Sequence, residues 1–196
     1  MDREGSTAST DSTPASGRFR VYPPLADGRR PFVDAADCEP TDVRVEADHD
    51  LAAGWLVDAT LAWADGGARA VDVSPVRETT FAFADGVTDL YEVARETFRA
   101  AERAGDGLNA RVTRNTDGDP NGAVYTFASP PGRDLFAEFR RGRRPIEPLL
   151  RRVTDERGPG ERAVFVLRPA NEPFVVVQIA LRRDGLLART MRETYL

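Results

Sequence analysis

Six arginines, Arg140, Arg141, Arg143, Arg144, Arg151 and Arg152, fall within thirteen residues whose one acid is Glu147. A planar guanidinium pairs two-pronged with phosphate or carboxylate, so such a run suits an anionic partner met at contact range. The same arginines can also pair with the chain's own acids. Residues 1–79 carry 8 arginines against 15 acids, and residues 129–196 carry 14 against 9. Phosphate contact with a nucleic acid is one reading, and pairing within the chain or with another subunit is the other.

Asp117, Asp119 and Asn121 place side-chain oxygens at alternate positions of Asp117-Gly118-Asp119-Pro120-Asn121-Gly122, as in the opening half of a calcium loop. The twelfth position is Ala128, where a bidentate Glu is needed, and the segment joins strands, so turn chemistry explains the same letters. Gly105-Asp106-Gly107 opens a dinucleotide-loop pattern in reversed context, after a helix instead of before one, and reads as a helix stop. Phe81 with Phe83, and Tyr125 with Phe127, form two aromatic pairs at strand spacing. RNA-recognition modules stack bases on aromatics so placed, but alternation equally buries each pair beneath helices, and burial is the simpler expectation.

Nucleophilic chemistry has little material. Cys38 and His49 are the only residues of their types, which leaves no intramolecular disulfide and no multi-cysteine metal site, and Cys38 lies between Asp37 and Glu39, which oppose thiolate formation. No Gly-x-Ser-x-Gly elbow occurs. No cofactor is expected. Carboxylates are too plentiful for any pair to stand out, so a carboxylate-based hydrolase or transferase remains an alternative.

The elements that must position these residues begin after a tail. Residues 1–17 have no apolar period and are expected to be disordered. Between residues 18 and 77 short strands, Phe19–Tyr22, Pro31–Val33, Val43–Val45, Trp55–Leu61 and Arg69–Val73, alternate with turns at Asp27-Gly28 and Asp65-Gly66-Gly67. They predict a small curled barrel of the oligonucleotide-binding or SH3 type, with Leu56, Ala59, Leu61, Val71 and Val73 lining its interior.

From residue 78 onward the rhythm changes. A strand at Thr79–Phe83 precedes an amphipathic helix carrying Val87, Leu90, Tyr91, Ala94, Phe98 and Ala101, started by Asp85 or Thr88 and stopped by Gly105. Strands at Ala110–Asn115 and Ala123–Ala128 follow, then a short helix at Leu135–Phe139, a break at Gly142, and a second helix opened by Pro145 and closed by Gly158. Strands at Ala163–Leu167 and Phe174–Leu181 come next, and Leu186–Met191 reads as a strand or a helix. This is the βαββαβ order of a ferredoxin-like sandwich with an extra C-terminal hairpin, so the fold class is α+β.

All 27 basic residues are arginine, because lysine is absent, and 32 acids give a net charge of -5. Carboxylate-rich, lysine-free composition is expected of a cytoplasmic protein bathed in molar salt, where a Debye length of about 3 Å leaves only close contacts. The longest apolar run is too short to span a bilayer, and Arg29-Arg30-Pro31-Phe32 lacks the hydrophobic stretch of an export signal.

The segments GWLVDATLAW, VRETTFAFADGVTDLYEVARETFRAAE, RVTRNTDGDPNGAVYTFA and RAVFVLRPANEPFVVVQIALRRDGLLARTMRETY resemble an uncharacterised protein family of haloarchaea over about residues 18–196. The resemblance implies a salt-adapted cytoplasmic protein and supplies no site residues. The sequence therefore points to a non-enzymatic module that binds a protein partner or itself. Nucleic-acid binding through Arg140–Arg152 is the main alternative.

Overall fold

The computed structural model describes residues 12–46, 50–64 and 66–196. It is an α+β chain with a closed five-stranded barrel followed by a five-stranded mixed sheet and four helices. His49 and Asp65 lie outside the described residues.

The barrel comprises β1 (Ser12–Val21), β2 (Arg30–Asp34), β3 (Pro40–Arg44), β4 (Leu56–Ala64) and β5 (Gly67–Arg77), closed in the order β1-β2-β3-β5-β4. β1 starts inside the segment read as a tail. Ala15, Ser16 and Gly17 pair with Leu61, Thr60 and Ala59 through the backbone, which needs no apolar side chains. Phe19, Val21, Phe32, Val43, Val57, Ala59, Leu61, Ala68 and Ala70 fill the interior.

The expected lining needs correction at β5. Val71 is 46% exposed, because the register with β4 slips between Thr60 and Leu61 and Val71 falls in the resulting bulge. The slip inverts the alternation, so Ala68 and Ala70 point inward ahead of it and Val73 is part-buried beyond it. On β4 the interior residue is Val57, while Leu56 is buried on the other side.

The second sheet has the order β6-β9-β10-β8-β7, from β6 (Thr80–Val87), β7 (Leu108–Arg114), β8 (Pro120–Ala128), β9 (Ala163–Pro169) and β10 (Phe174–Ala180). β6 and β9 run parallel and the other pairs antiparallel. The C-terminal hairpin does not extend this sheet at an edge. Every residue of β10 is buried, and a run apolar on both faces belongs at the centre. Leu186–Tyr195 is α4, not a strand: Ala188 and Met191 lie three apart on its buried face.

One face of the sheet is covered by α4 and α1 (Glu92–Ala104). α1 begins later than the apolar period suggests. Val87 belongs to β6, Tyr91 is the N-cap, and Asp85 pairs elsewhere instead of capping. Gly105 ends α1 in the left-handed region at φ 74, with Asp106 N–H bonded to the Ala101 carbonyl. The Phe98 ring stacks on Phe174 with centroids 4.1 Å apart.

The opposite face is covered by α2 (Leu135–Arg140), α3 (Glu147–Arg157) and the barrel. Pro148, not Pro145, occupies the first turn of α3. Phe81, Tyr125 and Phe127 are buried here, and Phe83 is part-buried against the same cluster, edge-on to Phe136.

The barrel and sheet are joined by buried contacts. Tyr22 and Val33 belong to the same apolar cluster as Phe139 and Ile146. The Tyr22 hydroxyl accepts from Ile146 N–H at 2.9 Å, and burial pushes that phenol's pKa up. At the free edge of β6, Phe81 N–H donates to the Ala53 carbonyl at 2.8 Å, so the loop before β4 covers that edge. Gly54, at φ 98, sits so close that a Cβ would lie 2.6 Å from the Thr79 carbonyl oxygen. Only glycine meets both conditions.

Candidate binding cleft

Asp134 starts the cleft. It caps α2 by accepting from Ala137 N–H at 2.9 Å, and its same oxygen accepts from Arg168 at 3.0 Å. Arg168 leaves the end of β9, grips Asp85 of β6 through two nitrogens, and lies with its guanidinium carbon 4.9 Å from the Phe136 ring centroid. Hydrogen bonds from Arg168 hold the Asp85 carboxyl below its ordinary range. This network fixes the floor beneath α2.

Across from it stand the β1–β2 loop, through Pro23, Pro24, Leu25 and Asp27, and Asp42 on β3. The space between is about 700 Å³, within the size of a ligand site, and its other wall carries Arg140, Arg141 and Arg143. These three are exposed, and no ion pair engages them among the described residues.

The six sequence-predicted arginines thus separate into two groups. Arg144 is spread over Phe127 and Phe139, 4.7 and 5.6 Å from the ring centroids, and burial lowers its pKa. Arg151 donates to the Ala35 and Ala36 carbonyls of the β2–β3 turn, tying α3 to the barrel. Arg152 pairs with Glu156 one helical turn along at 3.2 Å. Of this second group only Arg152 meets a carboxylate, Arg144 and Arg151 being held by rings and backbone carbonyls, and Arg140, Arg141 and Arg143 meet in the cleft.

Asp117 and Asp119 are exposed in the β7–β8 connection and Asn121 lies on β8. The Asn115 carbonyl and side chain accept from Gly118 N–H and Asp119 N–H, which is turn chemistry. No group of three or more acidic, His or Cys side chains is arranged to hold a metal among the described residues. Cys38 has φ 67 and touches Arg151, and burial raises its thiol pKa.

Sequence reasoning missed Arg168, Asp85 and Asp134. The one local signal was an arginine closing the apolar run Ala163–Leu167, which marks a strand end facing polar surroundings. The acids come from separate elements, and only the β6–β9 pairing brings Asp85 opposite Arg168.

The fold and cleft define an α+β protein with a barrel set against a helix-covered sheet. The chain belongs to a family of unknown function, DUF6663, which matches residues 11–196. No curated protein and no solved structure matches it. No helix among the described residues is long and apolar enough to cross a membrane.

Proposed function

We propose that the chain is a non-enzymatic binding module of a salt-adapted archaeal cytoplasm, whose cleft takes an acidic segment of a partner protein. Two units, residues 18–77 and 78–196, each supply one wall. The observation that carries this reading is the set of three exposed, unengaged guanidiniums, Arg140, Arg141 and Arg143, facing Pro23, Pro24 and Leu25. Arginine forks beside apolar surface suit a carboxylate-bearing peptide in high salt, because both work at contact range.

One fact weighs against nucleic acid: among the strand aromatics that could stack bases, Phe81, Tyr125 and Phe127 are buried. Acid-base catalysis is also poorly served. Asp85 and Asp27 are both held below the ordinary carboxylate range by arginine partners, the reverse of what a general acid near neutral pH needs.

The test is fluorescence anisotropy in molar potassium chloride with a labelled Asp/Glu-rich peptide and, separately, a labelled uridine oligonucleotide. Saturable peptide binding that the triple variant R140Q/R141Q/R143Q loses supports the reading. Binding of the oligonucleotide alone, or peptide binding indifferent to the three substitutions, overturns it.

A further inference from the structure

Beside the junction of barrel and sheet lies a second, smaller cavity of about 130 Å³ that shares no lining residue with the cleft. Four guanidiniums line it, those of Arg20, Arg77, Arg151 and Arg162, against the carboxylates of Glu147 and Asp155. Glu147 is already occupied by both prongs of Arg20. Positive charge is therefore in excess.

Arg162 is the telling residue. It is 6% exposed, and no carboxylate reaches it among the described residues. Its two terminal nitrogens donate to the Leu181 and Gly158 carbonyls, and its Nε is buried without any partner. A buried cation with an unused donor is strongly disfavoured unless an anion lies beside it. Arg77 is near enough that its charge adds to burial in lowering the Arg162 pKa, and it too has no ion pair among the described residues. The hydroxyl of Thr79, a residue 1% exposed, accepts from the Arg162 backbone N–H at 3.4 Å and keeps its own proton to donate.

We infer that this cavity binds a small oxyanion of the phosphate class, set against Arg162, Arg77 and the Thr79 hydroxyl. The volume is below the roughly 300–1,000 Å³ of drug-sized ligand sites, which limits the occupant to an ion or a terminal phosphoryl group. The anion would neutralise Arg162 and bind the start of β6 to the end of α3.

The full chain is titrated with inorganic phosphate at constant ionic strength in chloride, reading melting temperature and phosphorus NMR line width. A saturable response is expected. In R77Q and T79V, which leave the buried arginine in place, the apparent affinity should fall about tenfold, the effect of losing one charge-assisted hydrogen bond, while R189Q, on the exposed face of α4, should match the parent. Competition by phosphoserine assigns the site to a phosphoryl group on a larger molecule, and lack of competition assigns it to the free ion. Absence of saturation, or saturation that R77Q and T79V leave unchanged, overturns the inference.

Discussion

Arg20 of the barrel and Glu147 of α3 form a two-pronged ion pair at 2.9 and 3.0 Å, with side chains 3% and 8% exposed and 127 residues apart in sequence. Arg20 also donates to the Gly54 carbonyl, so one guanidinium gathers β1, α3 and the loop that covers β6. Removing one partner leaves an uncompensated buried charge. E147Q is expected to cost about 3–5 kcal/mol in urea unfolding, whereas R20M/E147L recovers most of that loss. Equal losses in both variants would show that the pair itself contributes the stability.

Gly54 and Gly28 share a positive φ but not an environment: a Cβ on Gly54 meets backbone at 2.6 Å, and one on Gly28 meets nothing within 4 Å. G28A should cost only about 1 kcal/mol, the strain of a left-handed alanine. G54A should prevent the junction from closing, seen as loss of Phe81 amide protection in hydrogen exchange. Similar small effects at both positions would contradict the close approach.

The stacked pair Phe98–Phe174 holds α1 to the central strand. F98A is expected to lower unfolding free energy by about 3–5 kcal/mol, and V93A, on the exposed face, by less than about 0.5 kcal/mol. Denaturant midpoints of the two variants check this.

Asp85 is held down chiefly by Arg168 and Glu138 chiefly by Arg133. Their folded pKa values lie below the unfolded ones, so the stability they add is complete above the unfolded range near about 4 and is lost as pH falls through the folded values. Melting temperature should be level from neutral pH to about 5 and decline below about 4. R168Q should flatten part of that decline. An identical acid limb in R168Q would rule out the Asp85 contribution.

Local pattern made most elements legible. The amphipathic spacing of Ala94, Phe98 and Ala101 and the stop at Gly105 located α1, and turn glycines separated the barrel strands. Order within the second sheet was not legible. Phe174–Ala180 and Ala163–Leu167 look alike as apolar runs, and which of them is central depends on long-range pairing. Val71 was misplaced because a bulge depends on two strands at once. The cleft was half visible: Arg140, Arg141 and Arg143 adjoin in sequence, but Asp85, Asp134 and Arg168 are recruited from three elements.

The cover over β6 has a consequence for biosynthesis. The strip from Ala52 to Trp55 is made before β6, and the parallel neighbour β9 emerges some eighty residues after it. An N-terminal unit generally folds first during translation, so the barrel stands ready to sheathe the nascent ribbon throughout that wait. Residues 78–196 expressed alone should accordingly clump through this bare margin, and adding the barrel in trans should keep them dispersed in light scattering.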